Sequence, residues 1–310
     1  MTSAPALDGI LVIDKPAGPT SHDIVAGARR ALGLRKVGHL GTLDPMASGV
    51  LPLVVGRATR LAAFFAGADK EYDARIRLGL VTDSYDITGT VVGGSDAEGV
   101  GSVPPPAADE IREAAAAFVG SHPQRPPLVS AKQVGGVRAY TLAREQRRVE
   151  LAPVTVTLAT LSILAVAGQQ VHCRLVCSSG FYVRSLAHDL GERLGCGGCL
   201  ETLRRERHGR FTLADAVPFA ALMEDGPTAA NRLLPMHGLL PNLPGVVTTA
   251  TGAQRASHGN QLGPADLAVS KEPLSAPPGG CVRVMDDAGH LLAVAELRRD
   301  GLLHPKIVLV

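Results

Sequence analysis

The sequence predicts an α+β protein in which one large mixed region precedes a small β region, and three observations predict it. The 310 residues are 45% hydrophobic, enough for a substantial core. Strand-like runs alternate with helical ones through most of the chain: 70–79 places Tyr72, Ala74, Ile76 and Leu78 on one face, whereas 21–32 reads as a helix closed by Gly33. Beyond Gly245 the pattern becomes short strands at 281–285, 291–297 and 307–310, separated by the turns Asp286-Asp287-Ala288-Gly289 and Arg299-Asp300-Gly301.

Composition narrows the function classes. No apolar run approaches the roughly 20 residues of a membrane span. Residues 1–8 lack the basic and apolar regions of a secretory signal, so a cytoplasmic location is expected. Five cysteines, an odd number, suggest reduced thiols rather than a disulfide framework. The net charge of +2 does not announce a nucleic-acid binder, but its distribution is uneven. Basic residues cluster at Arg29, Arg30, Arg35 and Lys36, at Arg57 and Arg60, and at Arg138, Arg144, Arg147 and Arg148. The densest group is Arg204, Arg205, Arg207, His208 and Arg210, whose planar guanidinium forks suit phosphate. At 3% aromatics and no Trp, a generic base-stacking platform is disfavoured.

In chain order, Ile10 to Ile13 reads as a strand, and the Pro/Gly-rich turn DKPAGPTS leads into the first helix. The stretch VGHLGTLDPMASGVLPL follows. Gly38, Gly41 and Gly49 permit sharp bends, and Pro45 biases Asp44 toward extended geometry. Two readings of Asp44 stand: a helix N-cap with Pro45 first inside, which spacing alone favours, or a reactive carboxylate on a stiffened loop. Val50 to Val55 then reads as a buried strand, and 59–66 as a helix. Gly93 to Pro106 reads as a linker, Asp109 to Val119 as a helix stopped by Gly120, and a basic helix is expected up to Arg148. Val154 to Val166 and Val171 to Cys177 form two strands joined by Ala167-Gly168-Gln169-Gln170, and a turn at Ser178-Ser179-Gly180 precedes another helix. Cys196-Gly197-Gly198-Cys199 with Cys173 and Cys177 admits a zinc reading, but Cys173 and Cys177 share one strand face as small hydrophobes, so no metal is expected. Pro241-Asn242-Leu243-Pro244-Gly245 is a candidate boundary, and 253–259 a short helix.

The string GHLGTLDPMASGVLPLVVGRATR closely resembles the signature of the bacterial tRNA pseudouridine-55 synthases, the TruB family. KPAGPTSHDIV, the KxY segment at Lys70–Tyr72, TDSYDITG, the PP…SAK…RAY region and CSSGFYVRSLAHDLG resemble further stretches of that family, so the likeness covers most of the chain. It implies a pseudouridine synthase fold: a mixed, largely antiparallel sheet flanked by helices in 1–240, and a PUA-like β-barrel in 241–310. An RNA-clamping insertion is implied at about 124–150, where Val129 and Gln133 depart from the common pattern.

The resemblance makes Asp44 the nucleophile, Arg184 its charge partner and Tyr72 the residue against the target uracil. His39 would occupy the space left by the flipped base, while Tyr182 and Leu203 would line the pocket. Asp86 either contacts nucleotide edges or forms a turn. Lys15, which reads as packing against the catalytic loop rather than as catalytic, stands with Arg60 among the RNA-facing candidates. The implied reaction isomerises uridine 55 of the tRNA T-loop after base flipping, with attack at base C6 or sugar C1′ left open. It needs no cofactor. The implied partner is tRNA, through its T-loop and acceptor arm, with the protein a monomer. A non-catalytic RNA-binding or tRNA-folding protein is the alternative, and a zinc-dependent RNA-modifying enzyme a third.

Overall fold

The computed structural model describes residues 7–97, 104–127, 133–134, 137–138, 152–268, 274 and 276–310. Most of the expected insertion at 124–150, including Val129 and the basic helix to Arg148, and part of the 93–106 linker lie outside the described residues.

The principal strands are β1 (Gly9–Lys15), β2 (Val37–His39), β3 (Ser48–Val55), β4 (Lys70–Leu78), β5 (Gly120–Gln124), β6 (Val154–Ala167), β7 (Gln170–Cys177) and β8 (Gly198–His208). With short pieces they form an 11-stranded sheet among the described residues, ordered Val217–Pro218, β1, β3, β8, β4, β7, β6, β5. β3 and β8 run parallel, as do β1 and Val217–Pro218; the other neighbours along this path are antiparallel. The sheet is mixed and largely antiparallel, as the resemblance implied.

Helix α1 (Ser21–Leu32) follows β1 because its ends are chemically specified. Thr20 accepts from the Asp23 N–H while Asp23 accepts from the Thr20 N–H, and Gly33 closes the helix at φ 65°. Its buried face, with Ile24, Val25 and Ala28, joins the core that also covers β4, β7 and β8. Helices α2 (Ala108–Ala116) and α3 (Val183–Arg193) bury Ile111, Leu186 and Leu190 in the same core.

Some expectations shift in detail. The segment expected as a helix over 59–66 is a 3-10 helix over Gly56–Phe65, and the i, i+3 spacing of buried Ala58 and Leu61 suits three residues per turn. β8 was not read as a strand from its sequence. Charged residues dominate its second half, and Arg205 is buried there between the half-buried Arg204 and Glu206.

At the C-terminal end, β9 (Gly245–Val247), β10 (Cys281–Met285), β11 (Leu291–Leu297) and β12 (Leu303–Val308) form a four-stranded sheet in that order, flanked by helix α4 (Ala250–Ser257). The expected barrel is seen as this open path; no pairing among the described residues closes β9 onto β12. β12 begins four residues before its expected start because Pro305 lies within it, on an edge strand that tolerates a missing N–H. Leu291, Val294 and Leu309 pack with Ile10, Val12, Val54, Phe65 and Phe211 in one cluster. The C-terminal sheet thus covers the second face of β1 and β3, which is why β3 is buried along nearly its whole length. Among the described residues no helix is long and apolar enough to cross a membrane.

Candidate active site

The loop between β2 and β3 carries Asp44 and is anchored from outside itself. The Ser21 hydroxyl donates to the Leu43 carbonyl (3.0 Å) and accepts from the Leu43 N–H (2.9 Å). Lys15 Nζ donates to the carbonyls of Pro16 (2.9 Å), Pro45 (3.2 Å) and Ala47 (2.6 Å), and the Gly18 N–H donates to Pro45 (2.8 Å). No helix follows Asp44: the Ala47 N–H returns to the Asp44 carbonyl in a turn, and β3 starts at Ser48. The N-cap reading is therefore replaced by a turn. Gly49 is required here, because at φ 101° a Cβ would lie 2.2 Å from the Arg205 carbonyl.

Lys15 needs correction as an RNA-facing residue. It is 0% exposed, and its ammonium is enclosed by loop carbonyls. Burial pulls its pKa down to about 8, with the Asp44 charge opposing that shift.

Arg184, on the first turn of α3, meets Asp44 with a two-pronged contact: Nη2 to Oδ1 at 3.0 Å and Nε to Oδ2 at 2.9 Å. The Arg184 side chain is 5% exposed and that of Asp44 31%. The carboxylate is thus held by a buried partner while one side remains open to an incoming molecule. Arg184 Nη1 also donates to the Ser84 carbonyl (3.0 Å) and lies 3.6 Å from Asp86 Oδ2. The start of α3 is fixed by Gln124, whose amide donates to the Tyr182 carbonyl and accepts from the Tyr182 N–H, and by Ser185, which donates to the Arg125 carbonyl.

Asp86 takes the turn option. Buried to 5% exposure, it accepts from the Ser84 hydroxyl (3.0 Å), the Thr88 N–H (3.0 Å) and the Thr88 hydroxyl (2.6 Å). Tyr72 is buried on β4, opposite Leu175 on one side and Arg205 on the other. Burial pushes its phenol pKa up, and the positive charge of the Arg205 guanidinium works the other way. Leu203 lies buried on β8 opposite Ala74, on the same face of the strand as Arg205. His39 ends β2 with its ring edge-on to His22 at 5.4 Å. Tyr182 is half-buried immediately before α3. Arg60 is exposed and donates to the Val308 carbonyl at the junction with β12.

The densest arginine group makes contacts within the fold. Arg204 donates to Asp14 (2.9 Å), Arg207 pairs with Glu71 (3.3 Å) and donates to the Gly209 carbonyl, and Arg210 donates to the Gly238 carbonyl. Arg205 is 1% exposed. These forks are engaged within the fold. His208, beside Arg205 and Lys70, is pushed down to a pKa of about 3, chiefly by burial, and stays neutral.

The cysteines sit in apolar surroundings. Burial pushes the thiols of Cys173 and Cys177 up to about 12 and that of Cys199 up to about 11. Cys196 donates to the Gly191 and Gly197 carbonyls. Thiols so raised are poor metal ligands near neutral pH.

Two features near Arg184 carried no signal in the sequence. Tyr85 has φ 63°, a strained value for a tyrosine, and its ring stacks on His188 of α3 at 3.9 Å and 4°. This stack pins the turn that offers the Ser84 carbonyl to Arg184. Arg205, two residues beyond Leu203, is the second: its residue type says nothing about burial.

Comparison with known proteins gives the family. Residues 29–183 match the model of the TruB family pseudouridylate synthase N-terminal domain, and 184–240 that of the tRNA pseudouridylate synthase B C-terminal domain. A protein of Solibacter usitatus called tRNA pseudouridine synthase B is 42% identical over 98% of this chain and 100% of its own length. One of the same name from Opitutus terrae is 43% identical over 77% of this chain and 97% of its own. Among solved structures, an H/ACA RNP bound to a substrate RNA containing 2′-deoxyuridine contains a chain with TM-score 0.69 and 25% identity, matched over 98% of this chain and 86% of that one. The chain belongs to the TruB family of pseudouridylate synthases.

Proposed function

We propose that the protein isomerises uridine 55 in the T-loop of tRNA to pseudouridine, with Asp44 as the nucleophile. The observation that carries this is the two-pronged Arg184–Asp44 contact, in which a buried guanidinium orients a carboxylate that keeps an open side. Relatives that align over the whole chain bear the name tRNA pseudouridine synthase B, which supports tRNA as substrate.

The target base is stacked in its RNA loop, so the nucleotide flips out before reaction. Asp44 adds to C6 of the base or to C1′ of the ribose, and the N1–C1′ bond breaks. The base turns, a C5–C1′ bond forms, Asp44 is released, and the C5 proton is lost as N1 gains one. Atoms and electrons balance without oxidant or phosphoryl donor. Arg184 holds Asp44 as a charged, directed nucleophile. Tyr72 packs against the base with its hydroxyl toward the reacting edge, Tyr182 and Leu203 frame the pocket, and His39 fills the gap in the RNA loop. Residues 1–240 supply this chemistry, and the sheet within 241–310 contacts the acceptor arm of a tRNA bound to one monomer.

The test is tritium release from tRNA labelled at uracil C5, comparing wild type with Asp44→Asn. Release from position 55 by wild type, with none from an Asp44→Asn protein that still binds tRNA, is the expected result. Binding by both with release by neither would leave only an RNA-binding protein.

A further inference from the structure

Helix α3 grips one turn at two points. Arg184 and His188 stand at i and i+4 on the helix and so share a face. Both meet the turn at 82–89. Arg184 Nη1 donates to the Ser84 carbonyl at 3.0 Å, and the His188 ring stacks on that of Tyr85, with centroids 3.9 Å apart and planes 4° from parallel. The buried His188 Nδ1 has no hydrogen-bond partner among the described residues, so that edge of the ring is seated by the stack rather than by a hydrogen bond.

Tyr85 makes the stack from a strained backbone. Alone among the described non-glycine residues it has a positive φ, 63°, in a region that asparagine and glycine occupy more readily. This conformation sends three neighbouring groups to three places. The Ser84 carbonyl goes to Arg184, the Tyr85 ring goes to His188, and the Tyr85 carbonyl accepts from the Leu200 N–H of β8 at 3.0 Å. The Ile87 N–H returns to the Leu200 carbonyl at 2.8 Å. A strained residue held from both sides is over-determined by its surroundings, and such residues cluster at functional sites.

The Ser84 carbonyl matters because a guanidinium is planar. Nη1 lies in one plane with Nη2 and Nε, which carry the fork on Asp44 at 3.0 and 2.9 Å. Holding Nη1 against a fixed carbonyl sets that plane, and the plane sets which way the Asp44 carboxylate faces. Asp86 fixes the internal shape of the turn through Ser84 and Thr88, but its Oδ2, 3.6 Å from Nη1, is beyond hydrogen-bond range. The ring stack is the packed contact that seats the turn on α3.

We propose that Tyr85 and His188 are a positioning pair for the isomerisation: their stack seats the Ser84 carbonyl against Arg184 and so fixes the guanidinium plane that directs Asp44. This rests on the reaction proposed above. Stacking needs the ring and not the phenol oxygen, so Tyr85→Phe keeps the contact, whereas Tyr85→Asn keeps the left-handed backbone and removes the ring.

The test reads the guanidinium first and the rate second. The Arg184 Nε 15N–1H signal is assigned with Arg184→Lys. Tyr85→Asn and His188→Leu are each expected to move that signal, and Tyr85→Phe to leave it in place. Single-turnover rate on saturating tRNA is expected to fall about tenfold in Tyr85→Asn and in His188→Leu, with the tRNA Kd changed less than about twofold. Tyr85→Phe is expected to keep the rate within about twofold of wild type. The double variant is expected to be little slower than either single one, because the two rings act as one unit.

A folded Tyr85→Asn protein with the wild-type signal and rate overturns the proposal, since the ring is then packing alone. A Kd that rises as much as the rate falls also overturns it, because the ring would then hold RNA, and so does a double variant whose losses multiply fully. Should Tyr85→Asn fail to fold, His188→Leu decides: a moved Arg184 signal with a slower rate supports the pair, and an unmoved signal overturns it. Wild-type protein that releases no tritium overturns the reaction instead, while the Arg184 signal still decides whether the stack sets the guanidinium.

Discussion

Asp44 and Asp86 face the same guanidinium from two loops, yet they are held in opposite ways. The Asp86 carboxylate ties its own loop from within, taking Ser84 and both donors of Thr88, and neighbouring Asp83 accepts from the Thr90 N–H. The Asp44 loop is tied from outside, through its backbone, by Lys15, Ser21 and Arg205. In consequence the Asp86 side chain is 7% exposed and 3.6 Å from Arg184, whereas Asp44 is 31% exposed and in bidentate contact at about 3 Å. The Asp86 carboxylate is committed to its own turn through Oδ1, and its Oδ2 faces Arg184. An aspartate whose loop is organised by others keeps its carboxylate directed and available.

Three experiments break or sharpen that contrast. The largest effect is expected from Arg184→Lys, which keeps the charge but removes the fork. Single-turnover rate should drop roughly 10²–10³-fold with little loss of tRNA affinity, comparable to removing a preorganised donor from other active sites. An equal loss in binding and rate would show that Arg184 holds RNA rather than Asp44. Next, Asp86→Ala strips partners from Ser84 and Thr88 and should cost about 1–3 kcal/mol in denaturant unfolding. A stable variant with abolished activity would move Asp86 to the chemical side of the comparison.

The smallest effect per step concerns His208, under the Asp44 loop. Its pKa is 6.5 ordinarily and about 3 in the fold. Between those values the unfolded chain binds more protons, so stability falls as pH is lowered from about 6.5 toward 3. His208→Phe, which keeps a ring without a proton site, should reduce that slope by up to about 1.4 kcal/mol per pH unit. Denaturant midpoints measured across this window check it, and parallel curves for both proteins would show that His208 does not titrate as described.

The sequence was most legible where a local rule governs. Helix α1 begins at Thr20 and stops at Gly33 because capping chemistry is written in adjacent residues. The alternation in 70–79 gave the buried face of β4 because a strand's period is two. At the site, motif likeness linked Asp44 and Arg184 across 140 positions, and the structure brings them together. β8 was less legible because arginines and glutamates dominate its sequence, and which of them are buried depends on neighbours far along the chain. Arg205 was misplaced because residue type favours the surface and tertiary enclosure overrode it; Lys15 packs against the Asp44 loop as expected, and its full burial is what excludes an RNA-facing role.

The sequence by itself determined the α+β class and most strand and helix positions through short-range periodicity and capping, while the resemblance of its contiguous motifs implied the family and the pairing of Asp44 with Arg184. Only the tertiary structure decided that Asp86 organises its own turn, that Tyr85 is strained against His188, and that Lys15 and Arg205 are buried beneath the Asp44 loop. Hydrogen-bond partners 30 to 164 residues apart enclose Lys15 and Arg205. Their cost or benefit depends on which carbonyls the fold brings within reach, and that is not written in any local stretch of sequence.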